Sequence, residues 1–415
     1  MKSASVIATE METRVNARPQ RRKPLADRLQ IIRQLRHLIA ANAEALADIA
    51  GAVSDRPRAE KLASEVLPLA DACRWLERNA ARVLAPRRFG RHGRPLWMLG
   101  HSFEVQRQPL GTVLVIGPGN YPLFLPAVHS LQAFVAGNFV LLKPAPGTRN
   151  VASAFARLAF EAGLDPEALT ILPEAVEAAR AAIDAGVDKV VFTGSSENGR
   201  SLLARLANTN TPAVMELSGE DAVIVLHDAD LDLVVRALRF GAKLNGGATC
   251  IAPRRLIVVD SIAAELKELL PATEFTTVLD ESSAIQCANA GEFCLGASMF
   301  SRDIEKARAL AAELKTGFVS INDLIVPTAD PRMPFGGVKA SGFGSTRGAE
   351  GLLEMTFPHV VAVRHGRVHS HFDEPSPDDA HLFSTYIRAA HGRDRFAVMR
   401  QLAGALITRA KRTQT

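Results

Sequence analysis

Cysteine is scarce: Cys73, Cys250, Cys287 and Cys294 are spread over 415 residues with no C-x-x-C pair. So few thiols exclude a disulfide framework, the spacing excludes a zinc ribbon or a redox dithiol, and a reducing, cytoplasmic setting is expected. Aromatic residues are only 6% of the chain, too few to interleave with basic residues as base-stacking platforms. Long apolar runs are missing as well. The most apolar stretch, Gly111 to Leu142, is broken by Asn120, His129, Gln132 and Asn138 and by Pro118, Pro122 and Pro126, all costly in lipid. Neither a membrane span nor nucleic-acid binding is expected, and the N-terminus, with Glu10 and Glu12, has the pattern of neither a secretion signal nor a transit peptide. The formal charge of +5 comes largely from an N-terminal run of Arg14, Arg18, Arg21, Arg22 and Lys23, read as a solvated face. Hydrophobic residues at 47% and charged ones at 22% describe a folded globular protein of two to three domains or two large lobes.

Apolar residues recur at helical spacing from Leu25 to about Ala85 (Leu29, Ile32, Leu35, Leu38, Ile39, Leu46, Ile49), which predicts a helical N-terminal region. Pro86 to Gln108 is Arg- and Gly-rich with alternation near Ser102 to Val105, the pattern of a β-hairpin arm. Short β-branched runs then alternate with helical segments: strands at Thr112, Phe139, Leu169, Lys189 and Ala213, with helices near Val151 to Ala162, Ala175 to Ala185 and from Asn198. That alternation predicts βαβ units and a doubly wound parallel sheet. A second α/β lobe follows from Val223. The expected division is 1–218 (helical region and cofactor-binding domain), 219–344 (catalytic domain) and 345–415 (an arm strand at Val360 to Val363, a polar loop, and a helix from Phe396 to Arg412).

Cys250 stands in Asn245-Gly246-Gly247-Ala248-Thr249-Cys250-Ile251. A cysteine after a glycine-rich turn presents its sulfur and its own N–H together, as a nucleophile with an oxyanion donor requires. A lone cysteine is more often a packing residue, so neighbouring motifs decide. Glu216 ends a strand in Met215-Glu216-Leu217-Ser218-Gly219, the place for a general base with a raised pKa. Asn120, in Gly117-Pro118-Gly119-Asn120-Tyr121-Pro122, offers an amide on a stiffened turn, although the third glycine of the dinucleotide fingerprint is replaced by Pro122. Lys143 follows a strand where phosphates or riboses dock, and Thr193-Gly194-Ser195-Ser196-Glu197-Asn198-Gly199 opens a helix whose free N–H groups suit a pyrophosphate. Asp228, Asp230 and Asp232 read as helix caps, and His365, His369 and His371 lack a partner at ligand spacing, so no metal is expected.

In order, these motifs resemble those of the aldehyde dehydrogenase superfamily, together with Pro334-Phe335-Gly336-Gly337-Val338-Lys339-Ala340-Ser341-Gly342 and Gly317-Phe318-Val319-Ser320-Ile321-Asn322. The match runs from about Leu25 to Val363. The resemblance implies an α/β fold with a Rossmann-type cofactor lobe, a catalytic lobe and an oligomerisation arm, assembled as a homodimer or homotetramer. It implies NAD- or NADP-dependent oxidation of an aldehyde to a carboxylic acid, with Cys250 as nucleophile, Asn120 as oxyanion donor and Glu216 as the base that activates water. The cofactor would lie on Ile116, Gly117, Pro118, Lys143, Gly194, Ser195, Gly199 and Leu217. Tyr121, Phe124, Thr249, Ile251, Leu123 and Leu324 would border an apolar substrate tunnel.

The chain also departs from that pattern. A short stretch joins Arg255 to Asn289 without the family's E-x-F-G-P, and Thr273, with Glu274 beside it, stands where its Glu would be. The catalytic lobe is therefore expected to be shortened. Gly119 and Ala248 replace the usual Trp and Gln, Ser218 and Glu220 alter G-G-K, and Pro146 replaces the ribose-binding Glu of NAD-preferring members, with Arg149 nearby to favour NADP. Two rival readings follow: an impaired homologue acting as a binding or assembly subunit, and a cysteine-dependent esterase.

Overall fold

The structure, a computed structural model, describes residues 23–51, 56–366, 370–372, 374, 377–393 and 398–404. Two helices, Leu25–Ala41 and Leu67–Val83, pack on each other. The first buries Ile31, Ile32, Leu35 and Ile39; Ile32, Leu35 and Ile39 belong to the stripe that the sequence periodicity predicts, and its Leu29 and Leu38 pack half-buried against the same core. Two short strands follow, β1 (Arg87–Phe89) and β2 (His101–Pro109).

The first large sheet contains β3 (Thr112–Ile116), β4 (Phe139–Lys143), β5 (Leu169–Ile171), β6 (Lys189–Thr193) and β7 (Ala213–Glu216). Its order is β5-β4-β3-β6-β7, all parallel. Successive residues of β3 enter different cores. Val113 and Val115 join the N-terminal helices and the Phe124–Ala136 helix. Leu114 and Ile116 join the Val176–Asp184 helix. Burial on both faces is why this strand is apolar throughout rather than alternating.

The chain then builds a second parallel sheet from β8 (Asp221–Val225), β9 (Pro253–Val259), β10 (Thr276–Val278), β12 (Gly296–Phe300) and β13 (Phe318–Ile321), ordered β10-β9-β8-β12-β13. Between them β11 (Phe293–Cys294) pairs antiparallel with β14 (Val338–Lys339). The shortened lobe is thus a complete sheet. Finally β15 (Gly342–Phe343) returns to the first sheet, antiparallel to β7, with Gly342 opposite Glu216. A Cβ on Gly342, whose φ is +107°, would stand 1.9 Å from Met215 O, so only glycine fits there.

β16 (Thr356–Arg364) joins β1 and β2 in a three-stranded sheet, order β1-β2-β16. The fold divides into one unit of Met1–Arg88 with Glu104–Val361, which holds both large sheets, and a second of Phe89–Phe103 with Ala362–Thr415. The polar loop expected after β16 contains a helix, Pro377–His391. Its acidic and histidine-rich composition hides the spacing of Leu382, Thr385 and Ala389, all buried, which is one helical face. Of the expected Phe396 to Arg412 helix, residues 398–404 are helical and the others lie outside the described residues. Among the described residues no helix is long and apolar enough to cross a membrane.

Candidate active site

Cys250 lies on the loop that leads into the amino end of β9, its carbonyl close to Gly219 just ahead of β8, and that loop has an unusual backbone. Asn245, Gly246 and Gly247 have φ of 52°, 59° and 77°. Successive left-handed residues are tolerated by glycine and by asparagine better than by other side chains, which accounts for Asn-Gly-Gly. Asn245 also ties the loop down: Nδ2 donates to Asn120 O at 2.9 Å and its backbone N–H to Glu60 Oε1 at 2.9 Å. In return Asn120 Nδ2 donates to Ala248 O at 2.8 Å, and the Tyr121 and Thr249 hydroxyls bond at 2.7 Å. The turn bearing Asn120 and the loop bearing Cys250 are therefore one hydrogen-bonded unit, and the Asn120 amide, with two N–H donors, is held against the Cys250 loop.

Glu216 is buried at the end of β7, and its Oε2 has no hydrogen-bond partner. Burial lifts its pKa to about 7, opposed by the Arg347 guanidinium and the Thr346 hydroxyl. Cys250 is partly exposed. Its thiol is pushed well above the ordinary value, first by burial and then by the negative charges of Glu216 and Asp221, with Arg347 and the Ile251 N–H pulling the other way. The resting sulfur is a protonated thiol that feels the charge of the Glu216 carboxylate.

Sequence reasoning missed Arg347 and Asp221. Arg347 is buried, stacks over Phe335 with its guanidinium carbon 4.5 Å from the ring centroid, and lies 5.8 Å from the Phe124 centroid. Its Nη1 donates to Thr328 O and its N–H to Gln132 Oε1. No local signal marks it, because it reaches Glu216 only through the long-range pairing of β15 with β7. Asp221 begins β8 and accepts the Gly296 N–H at 3.0 Å, and burial lifts its pKa to about 7.

The expected substrate residues Tyr121, Phe124, Thr249, Ile251, Leu123 and Leu324 are all buried. Ile251 packs with Leu295 and Phe335 beside Cys250. Glu65, also missed, reaches this wall: its Oε2 accepts the N–H groups of Leu123 and Phe124 at 3.1 and 2.8 Å while Oε1 pairs with Arg56 at 2.8 Å.

A cavity of about 450 Å³ opens at the carboxyl ends of β3, β4 and β6. Ile116, Gly117, Pro118, Lys143 and Gly194 line it, together with Pro146, Thr193, Asn198 and faces of the Val176–Asp184 and Ser196–Leu206 helices. Ser195, Gly199 and Leu217 stand beside the lining: Ser195 Oγ caps the second helix through Asn198 N at 3.2 Å, and a Cβ on Gly199 would meet Leu217 at 2.6 Å. The cavity fits a dinucleotide on two counts. Its Thr193 hydroxyl is buried with no partner, and a helix N-terminus, the usual seat of a pyrophosphate, opens at Ser196 beside it. Phe275, after Thr273 and Glu274, packs into the second lobe's core under Lys267. The Cys294 N–H donates to Ser341 Oγ at 2.9 Å, and the Ser341 hydroxyl donates onward to Ser218 O at 2.7 Å, so the Lys-Ala-Ser-Gly motif ties strands together.

The sequence profile described as the aldehyde dehydrogenase family matches residues 5–278 and 270–361. Its two stretches meet where the connection is short. The 4,4'-diapolycopene aldehyde oxidase of Methylomonas sp is 29% identical over 81% of this chain and 78% of its own. The NADP/NAD-dependent aldehyde dehydrogenase PuuC of Escherichia coli (strain K12) is 27% identical over 80% and 82%. The crystal structure of an NAD-dependent aldehyde dehydrogenase from Sinorhizobium meliloti superposes with a TM-score of 0.81 at 25% identity, covering 89% of each chain. With the family profile matched along most of its length, this α/β chain belongs to the aldehyde dehydrogenase family.

Proposed function

We propose that the protein oxidises an aldehyde to a carboxylic acid with NAD or NADP, using Cys250, Glu216 and Asn120. The observation that carries this reading is the convergence of the three: the Asn120 amide is bonded into the Cys250 loop, and the Glu216 carboxylate is near enough to raise the Cys250 thiol's pKa. Glu216, as carboxylate, takes the Cys250 proton, and the thiolate adds to the aldehyde carbon. The Asn120 amide and the Cys250 backbone N–H supply donors to the resulting oxyanion. A nicotinamide dinucleotide, when bound, supplies the hydride acceptor. The acyl group then stays on Cys250 as a thioester. Glu216, having shed its proton to solvent, draws a proton from the water that attacks the thioester carbon, and the acid leaves as the thiol is restored. Lys143 and the residues lining the cavity would hold the dinucleotide. Apolar Tyr121, Phe124, Ile251 and Leu324 favour an aliphatic or aromatic aldehyde over a charged one. A cytoplasmic homodimer or homotetramer built through the arm completes the reading, and the names of the relatives support its chemistry.

The test is reduced-cofactor absorbance with a panel of aldehydes and each dinucleotide. Turnover that disappears in Cys250→Ala is the expected result. The short Arg255 to Asn289 connection favours a second reading, an esterase that uses the same three residues. Cys250-dependent ester hydrolysis with no reduced cofactor from any aldehyde would select it. Dinucleotide binding with neither activity would mark a non-catalytic subunit.

A further inference from the structure

The usual ribose carboxylate of NAD-preferring relatives is replaced by Pro146, which lines the cavity but offers its side chain no hydrogen bond. A carboxylate from another element nevertheless stands next to the lining, on the residues that follow Pro146. Glu174, on the loop after β5, accepts the Arg149 N–H at 2.6 Å. The N–H groups of Gly147 and Thr148 reach it too, and together with the Arg149 bond they hold its carboxyl below the usual range. It therefore sits on the N-terminus of the Arg149–Glu161 helix, a place where a phosphate dianion would otherwise be welcome. Glu174 is the carboxylate whose charge Lys143 feels most, and Lys143 lines the cavity. Val176, two residues beyond Glu174, lines it as well.

The lining sorts by chemistry. Val176, Ala179, Ile183 and Leu202 make an apolar slot between two helices that suits a flat base, and Gly117, Thr193 and Gly194 approach the pyrophosphate end. Lys143, which ends β4, and Pro146 line the same cavity, and the adenosine sugar would lie against them. We propose that Glu174 receives the adenosine ribose hydroxyls and turns away a 2′-phosphate, so that this chain selects NAD over NADP. A carboxylate with about four lone-pair sites can keep its backbone bonds and still accept a hydroxyl. A phosphate at the same point would meet like charge on a helix end already occupied. Of the neighbouring arginines, Arg180 pairs with Glu177 and Arg205 with Asp184, while the charges of Arg149 and Lys143 are met by Glu174 itself.

The inference rests on the reading of the cavity as a dinucleotide site, so its test measures binding without aldehyde. Calorimetric titration of the full chain with NAD and with NADP is expected to give at least a ten-fold preference for NAD. Glu174→Gln keeps an oxygen for the Arg149 N–H but loses the charge, and the preference should fall to within about two-fold through a gain in NADP affinity. A wild-type chain that binds NADP as tightly as NAD, or a Glu174→Gln ratio equal to wild type, would overturn the inference and leave the dinucleotide site standing. Binding of neither would overturn the site itself and the inference with it.

Discussion

Arg347 has φ 61° and ψ 178°, a conformation that is essentially glycine's alone and costs on the order of 1–3 kcal/mol in any other residue. Such strain persists where the surroundings impose it, and here they do: two aromatic faces and the Thr328 carbonyl fix the guanidinium next to Glu216. Arg347→Met is expected to move the pH limb governed by Glu216 above about 7, because the charge that favours the carboxylate is gone. The pH dependence of kcat for a poor, deacylation-limited substrate checks this. Glu216→Gln should lower kcat by roughly 10²–10⁴ and erase that limb. Asp221 affects stability instead. Its folded pKa of about 7 lies above the ordinary 3.8, so its contribution is present at low pH and is lost as pH rises toward 7. Asp221→Asn keeps an oxygen for Gly296 N–H and should be more stable than wild type above neutrality by roughly 2–4 kcal/mol, at about 1.4 kcal/mol per pKa unit, with no gain at acid pH. Denaturant melts at two pH values decide it. Cys250, Glu216 and Asn120 were legible because each stands in a local motif. Arg347 and Asp221 were not, since their roles arise only from strand pairing between distant segments.

The Phe124–Ala136 helix carries no side-chain cap of its own. Its first N–H groups are instead met by Glu65, which belongs to a π-helical turn, Leu62–Val66, and is itself paired with Arg56. A wider helical turn rotates one residue out of the usual register, which brings a carboxylate inward from a region whose periodicity predicts only apolar burial. Glu65→Ala would leave Arg56 buried without its carboxylate and two N–H groups without an acceptor, so a loss of about 3–5 kcal/mol is expected in equilibrium unfolding. Glu65→Gln should recover part of it. The strands of both sheets were readable from their β-branched runs, because full burial demands them. The Pro377–His391 helix was not, because its buried face, of which Thr385 is polar, is drowned in polar composition.

Across the molecule, exposed apolar side chains gather on the arm: Phe89, Leu96, Trp97 and Leu99. An apolar group of this kind suits burial against another copy, and Trp97→Glu is expected to lower the oligomer mass in analytical ultracentrifugation while leaving ester hydrolysis by each subunit measurable. The order in which the chain emerges during synthesis has its own consequence. The ribosome delivers Ala213–Glu216 long before Gly342–Phe343, and the second lobe is made in between. Until then the β7 edge of the nascent first sheet has no partner on that side, and such edges recruit other chains. Co-translational folding of the N-terminal half alone therefore yields a particle with a sticky rim, and a holdase chaperone should engage ribosome-bound chains most strongly between those two points of synthesis.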